Sequence, residues 1–186
     1  QKLLTLNGST KALLAGERTA LNIAMHLSGI ATKTSLMVSE LKGSGIKLAD
    51  TRKTTPGLRV LEKYATKCGG GINHRLGLDD AIMLKENHLA WSGDLQETIE
   101  KIKEVAPWTT KIIVEAENSE QAIDAVKAGA DGILLDEIKP EVLQTLVPNL
   151  RELANKRGIQ NQHSKQIVLE ASGIKPKELR LYANTG

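Results

Sequence analysis

The chain has 186 residues and a formal charge of +3, with one cysteine, two Tyr, two Trp and no Phe. That length suits one domain with a sizeable core. A charge so small and evenly spread argues against a nucleic-acid or membrane-surface partner, and so few rings leave little to stack on bases. Cys68 alone excludes an internal disulfide and suits a reducing cytoplasm, while no apolar stretch reaches bilayer length and no signal peptide is evident.

Leu3 to Leu6 reads as a short strand or linker closed by Asn7-Gly8-Ser9. From residue 10 to 27 the spacing is helical, with Leu14, Leu21 and Met25 on one face and Arg18 on the same line. A cation in such a stripe snorkels to its edge or, less often, reaches into a partner subunit or a site; periodicity alone favours snorkelling. Residues 33–42 continue as helix until Gly43-Ser44-Gly45 stops it. An alternation then begins. Apolar runs at 46–49, 81–84, 112–114, 133–135 and 167–169 end at Asp50, Lys85, Glu115, Asp136 and Glu170, with helical patterns at 58–67, 94–105, 119–128, 140–157 and 176–183. The polar ends recur at intervals of roughly 20 to 35 residues, which predicts repeated βα units and a parallel sheet covered by helices. Strands that each end in a charge point to a barrel, whose C-terminal strand ends share one mouth; a doubly wound sheet is disfavoured because no G-x-G-x-x-G follows the first strand.

Two loops stand out. Asp50-Thr51-Arg52-Lys53-Thr54-Thr55-Pro56-Gly57-Leu58-Arg59 reads as strand end, polar loop and helix start. Arg52 and Lys53 side by side suit a multiply charged anion, one as a planar fork and one as a point charge, and equally suit a solvated basic loop. The connection 69–80 opens with three glycines and carries Asn73-His74-Arg75. It is either a helix stop with a surface loop or a mobile flap over the mouth, and its length favours the flap. Together Arg52, Lys53, His74, Arg75 and Lys85 outnumber Glu115 and Asp136, so the mouth should attract a polyanion such as a phosphorylated sugar or a polycarboxylate. The two carboxylates suit sugar hydroxyls or Mg²⁺. No His/Cys cluster has zinc spacing, and Cys68, without a base partner, reads as inert packing at a helix end. Lys85 is open to two readings, a Schiff-base amine or a charge for the ligand. His88 reads as a loop histidine, and His26 and His163 as structural or surface residues.

At several separate words the sequence resembles quinolinate phosphoribosyltransferase, the decarboxylating nicotinate-nucleotide pyrophosphorylase. They are Gly16-Glu17-Arg18-Thr19-Ala20-Leu21-Asn22, Ser28-Gly29-Ile30-Ala31-Thr32, the Asp50 to Arg59 stretch, Gly70-Gly71-Ile72-Asn73-His74-Arg75 and Leu84-Lys85-Glu86-Asn87-His88. The likeness runs from about Gly16 to Gly186, in the family's order. It implies an incomplete, TIM-like parallel α/β barrel of fewer than eight strands at residues 46–186. Residues 1–45 would be an N-terminal linker and helices left from a sandwich domain. Because the chain starts at Gln1 and stops after Tyr182-Ala183-Asn184-Thr185, it is expected to be a fragment.

The implied reaction joins quinolinate to phosphoribosyl pyrophosphate, releasing pyrophosphate and carbon dioxide and giving nicotinate mononucleotide for NAD synthesis. The implied enzyme is a cytoplasmic, Mg²⁺-dependent homodimer. By the resemblance, Arg52, His74, Arg75 and Lys85 would hold the two quinolinate carboxylates and Lys53 would face pyrophosphate. Arg18 would reach into the neighbouring subunit's site. Glu115 and Asp136 would bind ribose hydroxyls and Mg²⁺, and Ser172-Gly173 the 5′-phosphate through backbone N–H groups. Lys85, Glu115 and Asp136 are the expected catalytic residues. Ile174 stands where the family carries a second glycine. Alternatives are a paralogous barrel acting on another base, a Schiff-base aldolase using Lys85, and an inactive barrel fragment.

Overall fold

A computed structural model of the chain describes residues 2–85, 87–88, 93–159 and 166–186. His163 and Glu86, both named above, lie outside the described residues. The chain forms two compact units, Gln1–Ser39 with Lys47–His74 and Glu40–Ile46 with Arg75–Gly186. Residues 47–74, which the sequence reading assigns to the barrel, therefore group with the N-terminal helix.

In the first unit, α1 (Thr10–Glu40) is one continuous helix of 31 residues, where the sequence suggests two successive stretches. No proline interrupts it. Leu14, Leu21 and Met25 do fall on one face, but that face is open: they are 70%, 45% and 61% exposed. Arg18, with a side chain 77% exposed beside Glu17, does not snorkel along a buried stripe. The expectation fails because periodicity identifies a face and says nothing of what covers it. The second helix, α2 (Arg59–Cys68), buries Glu62, Lys63 and Ala65. After it comes Gly69, where a Cβ would fall 2.6 Å from Thr34 Cβ. Only glycine permits so close an approach to α1.

The expected strand at 46–49 is absent from the sheet. Ala49 makes a single parallel bridge with Ile72, closed by Ile72 N donating to Leu48 O (2.8 Å) and Asp50 N to Ile72 O (3.1 Å). Lys47 and Ala49 are exposed, and Ile46 and Leu48 only half-buried. An apolar run shielded on one side with one short partner cannot extend into a ladder.

The second unit holds the sheet. Its strands are β1 (Ala81–Leu84), β2 (Lys111–Ala116), β3 (Gly132–Asp136) and β4 (Val168–Ser172), all parallel and in sequential order. Between them run α3 (Leu95–Val105), α4 (Ser119–Ala128) and α5 (Pro140–Lys156); a 3₁₀ turn (Pro176–Glu178) and α6 (Leu179–Tyr182) follow β4. Local chemistry sets these limits. Asp94 caps α3 by accepting from Glu97 N and Asn118 caps α4 by accepting from Gln121 N, while Gly129 stops α4 in the left-handed region (φ +88°) and Pro140 opens α5.

Alternate strand residues have different fates. Leu84, Ile112, Val114, Ala116, Ile133 and Leu135 pack with Ile99 of α3, Ala125 and Val126 of α4 and Leu143 and Leu150 of α5 in one core. The opposite parity, Ala81 and Met83, Ile113 and Glu115, Gly132, Leu134 and Asp136, Val168, Glu170 and Ser172, forms the inner face. Helices on one face of a sequentially ordered parallel sheet are the wall of a barrel, whereas a doubly wound sheet has helices on both faces. The fold is an incomplete parallel α/β barrel with a helical N-terminal segment.

Candidate active site

The C-terminal edge of the second unit's sheet gathers five of the ten predicted site residues, Lys85, Glu115, Asp136, Ser172 and Gly173. Lys85 is the first residue past β1, Glu115 the next-to-last of β2, and Asp136 and Ser172 the last of β3 and β4. Lys85 Nζ pairs with Glu115 Oε2 at 2.6 Å, with side chains 47% and 14% exposed. His88, helical where a loop was expected, accepts at Nδ1 from Lys85 N at 3.1 Å and so braces the lysine's backbone. Ser172 Oγ donates to Asp136 Oδ1, tying the ends of β3 and β4 together. Just beyond, Glu137 adopts φ +52° and Gly173 φ +75°. Glu137 N donates to Ser172 O (3.3 Å), and a Cβ on Gly173 would lie 2.7 Å from Glu137 Cγ. Glycine is required at 173 for both its backbone and its space. Ile174 has no left-handed backbone, since Glu137 is the one non-glycine with positive φ among the described residues. The family's second glycine is thus not demanded there by conformation.

Arg75 reaches the inner face of the same unit. Nη1 donates to Ala81 O at 2.7 Å and Nη2 approaches Met83 Sδ at 3.8 Å. Asp80 Oδ2 accepts from Leu76 N and Gly77 N at 2.5 and 3.3 Å. Asp80 thus closes the last turn of the connection back onto Leu76 and Gly77.

In the first unit the organising residue is Asp50. Its Oδ1 pairs with Lys63 Nζ at 2.5 Å, with side chains only 10% and 5% exposed, and accepts from His74 N at 2.8 Å. Oδ2 accepts from Asn73 Nδ2 at 2.6 Å, while Lys63 Nζ also donates to His74 O at 2.9 Å. This network fixes the loop that carries Arg52 and Lys53 to the segment that carries His74. Arg59 braces the same loop, Nη2 donating to Arg52 O (3.3 Å) and Nε to Thr54 Oγ1 (3.1 Å). Lys53 is exposed and Arg52 and His74 are half-buried.

Glu62 of α2 accepts from Thr55 N at 3.1 Å and lies 2.7 Å from His26 Nε2. The hydrogen bond from His26, and then that from Thr55, hold its carboxyl below the ordinary range. A carboxylate so favoured stabilises the fold above its unfolded pKa and loses that contribution as pH falls through the folded value. Glu62→Gln should therefore cost about 1 kcal/mol at pH 7, and the difference from the parent chain should close below pH 4.5 in urea titrations. An equal gap at pH 7 and pH 3.5 would contradict this assignment. Lys63, Arg59 and the His26–Glu62 pair were not legible as site supports, because partners 13 and 36 positions apart leave no periodic trace.

The fold defines a barrel-type α/β domain that carries a lysine, two carboxylates and a serine along the C-terminal edge of its sheet. The comparisons with known proteins narrow the class. The model of the quinolinate phosphoribosyl transferase C-terminal domain matches residues 30–186. A probable nicotinate-nucleotide pyrophosphorylase (carboxylating) from Methanothermobacter thermautotrophicus is 41% identical over 189 residues, covering 100% of this chain and 65% of that protein. Its namesake from Bacillus subtilis is 50% identical over 139 residues, 75% of this chain and 48% of that one. The crystal structure of NadC from Streptococcus pyogenes superposes with a TM-score of 0.79 at 41% identity, covering 93% of this chain and 56% of that chain. The chain belongs to the quinolinate phosphoribosyltransferase family and matches its C-terminal domain. It spans about half to two-thirds of the length of these relatives.

Proposed function

We propose that the chain provides the catalytic barrel of an enzyme that joins quinolinate to phosphoribosyl pyrophosphate, with loss of pyrophosphate and carbon dioxide, to give nicotinate mononucleotide. The relatives' name describes the same conversion from its nucleotide side. The observation that carries the reading is the row of Lys85, Glu115, Asp136 and Ser172 along one edge of a parallel sheet, in a chain of this family. Displacement at the ribose anomeric carbon passes through a cationic sugar, which Glu115 and Asp136 tolerate. Decarboxylation leaves transient negative charge on the ring, which Lys85 and Arg75 can stabilise. Arg52 and His74 are assigned to quinolinate, Lys53 to pyrophosphate, and the Ser172-Gly173 backbone to the 5′-phosphate.

Glu115 and Asp136 offer only carboxylate oxygens, and among the described residues no group of three or more His, Cys, Asp or Glu could hold a metal by itself. That donor set fits Mg²⁺ brought by substrate phosphates and keeping water ligands. Bound there, the ion supplies charge neutralisation to the departing pyrophosphate. The open face of α1 supports a homodimer in which a second copy covers Leu14, Leu21 and Met25 and receives Arg18. A cytoplasmic location accords with the exposed free thiol of Cys68. An aldolase reading fares worse, because Lys85 is half-exposed and ion-paired, whereas a Schiff-base lysine needs a desolvated amine. The test is formation of nicotinate mononucleotide and pyrophosphate by the chain when both substrates and Mg²⁺ are present. Borohydride trapping of a carbonyl compound on Lys85, with no such product, would overturn the reading.

A further inference from the structure

Just past Asp136 the chain makes a turn that its own backbone resists. Glu137 takes φ +52°, in the left-handed region that penalises any residue with a Cβ, and no other non-glycine among the described residues does so. Such a conformation persists only where the surroundings over-determine it. Two restraints come from β4, whose last rung pairs Ser172 with Asp136. Ser172 Oγ donates to Asp136 Oδ1, and Glu137 N donates to Ser172 O at 3.3 Å.

The third comes from α6. Tyr182 Oη donates to Ile138 O at 3.3 Å, across 44 positions of sequence. The tyrosine is half-buried against the core that Ile138 belongs to, and Thr185 fixes its backbone, N and Oγ1 donating to Tyr182 O at 3.1 and 2.8 Å. Burial, with Glu178 and Glu141 adding to it, raises the phenol above its ordinary range, so the hydroxyl keeps its proton at neutral pH.

We infer that Tyr182 is a positioning residue: by holding Ile138 it keeps the strained turn after Asp136 closed against β4, so that the Asp136 carboxylate and the Ser172-Gly173 backbone are presented together to one phosphorylated ribose. The inference rests on the assignment above of Asp136 to ribose hydroxyls and of Ser172-Gly173 to the 5′-phosphate. It gives the strain a use, since a relaxed turn would let the two halves of that subsite move apart.

The test is an NMR titration of ribose 5-phosphate with Mg²⁺ present, and separately of quinolinate, into the 186-residue chain and its Tyr182→Phe variant. Loss of one neutral hydrogen bond should weaken ribose 5-phosphate binding about fivefold. Quinolinate affinity and the melting point should stay close to the parent's, because the ring still packs, and the Glu137 amide resonance of the ligand-free variant should move. In a Glu137→Gly background the turn is no longer strained, so Tyr182→Phe should cost less than about twofold. Parent-like ribose 5-phosphate affinity, equal weakening of both ligands, an unmoved Glu137 amide, an undiminished loss in the glycine background or a variant that fails to fold would each overturn the positioning role and leave the reading of the site standing. If ribose 5-phosphate moves no resonance of Asp136, Ser172 or Gly173 in the parent chain, the subsite reading and the inference fall together.

Discussion

Asp50→Ala is expected to cost about 3 to 5 kcal/mol of stability, enough to unfold much of the chain at ambient temperature. The cause is burial. Lys63 Nζ would keep His74 O as an acceptor, but a side chain 5% exposed would have lost its counter-charge. His74 N and Asn73 Nδ2 would lose Asp50 as an acceptor in the same step, Asn73 Nδ2 keeping Lys63 O. Replacing both members of the pair by apolar residues of similar volume, Asp50→Leu with Lys63→Met, should cost less than Asp50→Ala alone, because no uncompensated charge is left inside. Urea denaturation followed by circular dichroism measures both. A single-variant loss below about 1 kcal/mol would show that water reaches the pair, and that the Arg52 loop is held by something else.

This network also marks where sequence reading stops. Asp50 was visible as the polar end of an apolar run, but Lys63 looks like any solvent-facing position of a short amphipathic helix. A charge that goes inside is identified by its partner, and the partner lies in another segment. Helix α4, by contrast, was legible to its last residue, since an Asn cap and a Gly stop are local signals. The strands at 81–84, 111–116 and 132–136 were legible for a similar reason, each being a continuous apolar run between helical patterns. The run at 46–49 has the same composition, yet it finds only Ile72 beside it. Composition can nominate a strand, but only a neighbour with free backbone groups makes one. At the site, strand-end position singled out Lys85, Glu115 and Asp136 correctly as one row. Strand-end position makes Lys85 and Glu115 opposing charges on one row; their pairing at 2.6 Å is a contact between two strands 30 residues apart, which no local pattern carries.

The second large effect should appear at that pair. On the proposed reaction, Lys85→Ala is expected to lower kcat for nicotinate mononucleotide formation by about 10² to 10³ while leaving the fold intact. Lys85–Glu115 and Lys63–Asp50 are chemically the same bond, and burial separates their consequences. Lys85 is 47% exposed at a strand end, against 5% for Lys63, so truncating it opens the 14%-exposed Glu115 to solvent from that side and costs less than loss of the buried pair. In the role proposed for it, a cation that holds a carboxylate and steadies developing negative charge would act chiefly in the transition state, so kcat should fall more than KM rises. Lys85→Arg retains the charge but replaces a point donor by a planar fork, and should recover quinolinate binding better than turnover. Single-turnover kinetics beside a thermal melt separates the outcomes. A melting point lowered as far as in Asp50→Ala would make Lys85 a support of the barrel, and the strand-end row would no longer define a site.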